Sequence, residues 1–298
     1  MTTLIENLGQ WLSPDWDFGY ACCRETVLIS NALYGILLML NTAIFALYIY
    51  VYSRNKTLHA NFRCILIIFA VNDMVLIYQR IADFWLTGVI DRENGFTYFV
   101  KMMCWATLIF SLCNVIGERL FALYAYRWYH EAHLRFPTPI LLVYIVQEIF
   151  VELLIWKGII SKIVMLVCLA IMILLTTIFL IFNFRNSRRR NRKMLARRFQ
   201  WSDGSCLSRR LRTVEILREN RLLQIFLPYL LISSMVQAVE GIAAMHIITP
   251  LDHRYYLVAH CLFYLTISIR VLFDLIIPIL AHPVIKADAK KALTSVIK

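Results

Sequence analysis

The feature that most limits how this chain can fold is a pair of long windows, residues 27–52 and 163–184, that contain no Asp, Glu, Lys or Arg. Each is longer than the ~20 apolar residues a helix needs to cross the hydrocarbon core of a bilayer. Water is absent there, so such a segment must close its backbone hydrogen bonds on itself, as a helix does. Five further windows, 62–85, 98–124, 139–156, 222–247 and 255–281, carry only isolated polar or charged groups. Together they predict an all-α membrane protein, a bundle of seven transmembrane helices. Composition agrees, since 60% of the 298 residues are hydrophobic and 17% charged, against roughly 45–50% and 25% in soluble domains. The same figures exclude disorder, a collagen-like repeat and a disulfide-stapled secreted module.

Window 139–156 is the weakest because it holds Gln147, Glu148 and Glu152. On an insertion scale its aliphatic gain of ~4–6 kcal/mol is nearly cancelled by two carboxylates at ~2.5–3 kcal/mol each, so insertion needs help. Glu148 and Glu152 are spaced i, i+4 and share a face that can turn toward the bundle or be neutralised by protonation. Residues 157–162 then make a six-residue hairpin to the next window.

Charge sets the orientation. The chain carries a formal net charge of +12, and twenty-three of its 31 Lys and Arg fall on one predicted side, thirteen of them in the loop 185–221. Basic residues favour the cytoplasm, so residues 1–26 form an extracellular tail, 27–281 the membrane domain with 185–221 as its third inner loop, and 282–298 a cytoplasmic tail. Residues 1–26 lack the apolar core of a cleavable signal, so the first helix is expected to act as its own. The sequon Asn55-Lys56-Thr57 falls in an inner joint and is expected to stay unglycosylated. The basic run of the third inner loop reads as an anchor on anionic inner-leaflet lipid, not as a nucleic-acid patch. In the tail, Ile285, Ala289, Leu293 and Val296 share a face opposite Lys286, Lys290 and Lys291, the pattern of a short interfacial helix after the seventh span. Cys22, Cys23 and Cys104 lie toward the outside, where a bridge is chemically permitted; the other Cys are expected to be reduced.

Polar residues within apolar windows mark where function concentrates. Glu118 and Arg119 lie ~30 Å of helix past the start of the third window, at its cytoplasmic mouth. There an acid and an Arg form either a switch, with the Arg held at rest and released when helices part, or a snorkelling pair at a helix end. Asp73, Arg270 and Asp274 sit deep in the second and seventh windows. They read as an intramembrane lock through an Asp73–Arg270 contact, or as a static pair that permits insertion. Nearer the outside, Trp105, Gln237, Glu240, His260 and Tyr264 are candidates for an apolar pocket with polar anchors that takes a small organic ligand. The other reading of these five is interhelical hydrogen bonds and an aromatic belt. No Gly-rich phosphate loop, hydrolase elbow, Cys-x-x-Cys or zinc-protease spacing is present, so no enzyme, metal or cofactor is expected.

The run Glu118-Arg119-x-x-Ala122, with Tyr129 beyond it, resembles the end of the third helix in nematode serpentine chemoreceptors, most closely the epsilon class and its relatives. Leu207-Ser208-Arg209-Arg210-Leu211-Arg212, followed by Glu219-Asn220, resembles the same group's segment before the sixth helix. Asp274 and Pro278, then His282-Pro283, resemble its ending. Two positions depart from the pattern: His130 stands where an acid is usual, and Arg212 where a Gln is. The resemblance implies a G-protein-coupled chemosensory receptor for a small environmental chemical, in the plasma membrane of sensory-neuron cilia. Its partner would be a heterotrimeric G protein, engaged through a coupling switch of Glu118, Arg119, Tyr129, Glu219 and Asn220. Two alternatives stand beside it. One is a seven-helix small-solute transporter, against which the chain shows no internal repeat. The other is a degenerate receptor whose short second outer loop has lost ligand capture.

Overall fold

The computed structural model describes residues 24–55, 58–87, 95–124, 138–156, 167–168, 170–179, 181–182, 185, 221–233, 235–236, 239 and 253–297. Among these there is no strand. The helices are α1 Arg24–Arg54, α2 Ala60–Thr87, α3 Gly95–Tyr124, α4 Thr138–Trp156, α5 Ala170–Phe179, α6 Arg221–Ser233, α7 His253–Ala281 and α8 Pro283–Ile297. Four of them contain segments long and apolar enough to cross a membrane: Leu28–Arg54, Ala60–Ala82, Met102–Leu120 and Cys261–Ala281. The other three windows correspond to α4, which is 19 residues long, and to the shorter apolar helices α5 and α6.

The helix ends follow local chemistry. Between α7 and α8 the chain bends at His282, whose Nδ1 accepts the Ile285 N–H at 3.4 Å while Pro283 fills the first helical position. A side chain capping the third amide, with Pro in the first turn, is a helix start written in sequence. Pro278 lies inside α7 and leaves the carbonyl one turn earlier, at Asp274, without its helical donor.

The chain divides into two compact units. The first comprises Met1–Ala46, Ala70–Trp105 and Ile232–Leu275; the second comprises Leu47–Phe69, Ala106–Leu231 and Ile276–Lys298. In the first unit, polar side chains bond across helices to backbone carbonyls. The Tyr34 hydroxyl donates to Ile77 O, Asn41 Nδ2 to Ser268 O at 2.9 Å, and Asn72 Nδ2 to Cys104 O at 3.0 Å. Cys104 is buried.

In the second unit, Phe69 meets Phe226 edge-on with ring centroids 5.9 Å apart. A polar ladder joins α3 to α4: Thr107 donates to Glu148 at 2.6 Å, Tyr144 to Ser111 at 2.9 Å and Asn114 to Gln147 at 3.0 Å. The ladder places Gln147 and Glu148 against donors and acceptors. Glu152, expected to share that face, is exposed instead.

The exposed surface has the opposite character. Leu142, Ile145, Val146, Ile149, Phe150 and Leu153 of α4 are all exposed, as are Ile29, Ile36 and Met39 of α1, the last 69% exposed. Large apolar side chains in such numbers on one face are a liability in water and ordinary against lipid. Asn31, Asn41, Asp73, Arg80, Ser111 and Arg119, meanwhile, are buried.

Candidate functional site

In the second unit, α3 brings Glu118 and Arg119 together as expected. The Arg119 Nε and Nη2 both bond the Glu118 carboxylate, Nη2 to Oε1 at 2.6 Å. A two-point guanidinium–carboxylate contact is the strongest form of this pair. Arg119 is 1% exposed, so the pair is sealed from water and does not snorkel. Its guanidinium lies over the Phe62 ring of α2, 4.4 Å from the centroid. His59, just before α2, places Nδ1 3.9 Å from Glu118 Oε1. The partners expected from the resemblance, Tyr129, Glu219 and Asn220, lie outside the described residues.

In the first unit, Asp73, Arg270 and Asp274 form one buried group. The wiring differs from the expected Asp73–Arg270 contact. Arg270 Nε bonds Asp274 Oδ2 at 3.0 Å, one turn along the same helix. Asp73, buried on α2, is close enough to interact with both Asp274 and Arg270. The link from α2 to α7 therefore runs from Asp73 to the Asp274–Arg270 pair, two acids beside one guanidinium. The i, i+4 spacing of Arg270 and Asp274 was readable in the sequence; that the guanidinium bonds Asp274 and not Asp73 depends on how α2 meets α7.

A third site went unassigned in the sequence. Arg80, 2% exposed, sits between two tyrosine rings, Tyr34 of α1 at 4.9 Å and Tyr264 of α7 at 5.1 Å. Its Nη2 bonds Asn31 Oδ1 at 2.9 Å and the Cys261 sulfur at 3.2 Å. The guanidinium is thus a common partner for three helices. The available signal was an Arg deep in a largely apolar window, with Tyr34 and Asn31 three apart on one helix face.

Tyr264, a pocket candidate from the sequence, is 1% exposed and packs against Tyr34 and Arg80. Of the other pocket candidates, Trp105 lies in α3 and His260 in α7, with both side chains outside the described set. Gln237 and Glu240 are outside the described residues altogether. Among the described residues no three His, Cys, Asp or Glu side chains gather in a way that could hold a metal ion.

Searched against protein-family models and against curated proteins, the chain matches none. Its class rests on the fold itself: an all-helical, membrane-embedded protein that crosses the bilayer several times, with ionic groups buried between its helices and apolar side chains on the outside.

Proposed function

We propose that the chain is a seven-span G-protein-coupled chemosensory receptor of the plasma membrane, with its N-terminus outside and its C-terminus in the cytoplasm. The observation that carries this reading is the water-free Glu118–Arg119 pair on α3. A bidentate ion pair at the end of a long apolar helix, with the Phe62 ring of a second helix over its guanidinium, is suited to holding an arginine back until helices move. A small environmental chemical binds toward the outer face and biases that movement; a heterotrimeric G protein reads it from inside. The Asp73–Asp274–Arg270 group ties α2 to α7 and limits how the helices rearrange. Thirteen basic residues in the segment 185–221, and the lysines of α8, hold the inner face on anionic lipid. No bond is made or broken.

The test is nucleotide exchange on a purified G protein by the full chain in lipid, screened with a panel of small organic compounds. Arg119→Ala is expected to reduce stimulated exchange at least about tenfold, the loss of one charge-assisted contact. Solute flux across vesicles with no exchange by any variant overturns the receptor in favour of the transporter. Exchange that occurs without any ligand and responds to none fits the degenerate receptor.

A further inference from the structure

An ion pair between neighbours on one helix cannot sense the movement of another helix. Glu118 and Arg119 share a backbone, so their bond survives any rigid displacement of α3. A switch needs a contact that crosses to a second element and breaks when that element leaves.

The start of α2 supplies two such contacts. The Phe62 ring lies under the Arg119 guanidinium at 4.4 Å, and His59 faces Glu118 at 3.9 Å. His59 and Phe62 are three apart, so they lie on one face. The His59 carbonyl accepts the Arg63 N–H at 3.0 Å, which couples His59 to the first turn of α2. That turn is braced in its own right. Arg63 Nη1 donates to Ser53 O at 3.3 Å and to Asn55 O, and Asn55 Nδ2 reaches Asp288 Oδ2 of α8 at 3.3 Å. Phe62 and Arg119 are both sealed from water, so the ring face stands where hydration would otherwise be, the setting in which a cation–ring contact is strongest.

We infer that the first turn of α2 is the arm that holds Arg119: Phe62 and His59 are positioning residues, and separation of α2 from the end of α3 is the event that frees the arginine. The inference deepens the receptor reading and rests on it. It makes α2, braced by α8, part of the coupling switch.

The test places phenylalanine, or its 4-fluoro, 3,5-difluoro or 3,4,5-trifluoro analogue, at position 62 of the full chain in lipid nanodiscs. Fluorine drains the ring face of negative charge and barely alters its size, so a merely packing role does not follow the series. The expected result is a stepwise rise in ligand-free nucleotide exchange on a purified heterotrimeric G protein, reaching about tenfold at trifluoro substitution, with the fluorine resonance at position 62 displaced by Arg119→Gln. A resonance indifferent to Arg119→Gln overturns the contact whatever the exchange does. A displaced resonance with exchange that stays flat across the series, in a chain whose exchange Arg119→Ala abolishes, overturns the holding role and spares the receptor. A displaced resonance with no exchange by any variant sinks the receptor reading itself, and the switching role with it.

Discussion

Arg270 and Arg119 are both buried arginines whose acid lies on their own helix, one turn away at Asp274 and adjacent at Glu118. What separates them is the group that α2 adds. At Arg270 it is a second carboxyl, Asp73; at Arg119 it is the Phe62 ring, with His59 beside the acid. The first arrangement joins helices through charge, two acids around one guanidinium, and pulling it apart strands ionic groups in a medium that cannot solvate them. Such a contact favours permanence. In the second, both full charges stay on α3, and what α2 contributes is a cation–ring contact and an imidazole. That contact suits a switch, because the ion pair leaves the resting state intact. Two sites with nearly the same ingredients thus divide into one that fastens and one that can release.

The largest effect expected is at the fastening site. Asp274→Ala leaves Arg270 buried without its carboxylate and should destabilise the protein by ~3–5 kcal/mol, read as a fall in thermal unfolding temperature in detergent and in surface yield. Asp73→Asn keeps a polar side chain beside Asp274 and leaves the Arg270–Asp274 pair in place, so its expected loss is about 1 kcal/mol. Equal losses from the two variants would break the contrast. With yield preserved, Asp73→Asn is also the variant that should alter basal or stimulated signalling.

Arg80 tests whether ring-held arginines form a class. Arg80→Met removes two cation–ring contacts and the bonds to Asn31 and Cys261. The expected destabilisation is about 2 kcal/mol, between the two extremes; a loss as large as that of Asp274→Ala would place Arg80 with Arg270 instead.

The α3–α4 ladder gives the scale for polar contacts without a buried cation. A double-mutant cycle with Asn114→Leu and Gln147→Leu should yield a coupling of about 0.6 kcal/mol, the usual size for a hydrogen bond between membrane helices. Unfolding of the four proteins under one set of conditions measures it, and a coupling above about 2 kcal/mol would erase the distinction between this ladder and the ionic sites.

The smallest effect belongs to Asn55. The residue is buried and bonded to Asp288, and its sequon is expected to lie in an inner joint, away from the glycosylation machinery. Asn55→Gln should change stability by about 1 kcal/mol or less and leave electrophoretic mobility, before and after glycosidase, unchanged. A mobility shift would overturn the expected orientation.

Much of the helical architecture was legible in the sequence. The charge-free first window and its three partly polar counterparts became helices extending a few residues beyond the window edges, because backbone bonding continues until a cap or a break stops it. The tail helix was legible from its stripe of Ile285, Ala289, Leu293 and Val296; Ile285 and Ala289 are buried, while Leu293 is exposed. The sites were legible as residue types more than as contacts. The local pair Glu118–Arg119 could be read directly, since neighbours on a chain need no fold to meet. Phe62, His59 and Arg80 could not, because a Phe, a His or an Arg at the edge of or within an apolar window looks like any other until the opposing helix is known.

Sequence alone therefore determined that this chain lives in a bilayer and where its principal helices run. Both follow from composition over twenty or so residues, which is what hydrocarbon selects. Tertiary structure decided the partners: Asp274 and not Asp73 for the Arg270 guanidinium, Thr107 for Glu148 while Glu152 stays exposed, and Tyr264 against Arg80. Helical spacing says which residues share a face. Which face meets which neighbour is set by helix rotation and by side chains far away in sequence, and those are fixed only when the whole set of helices packs together.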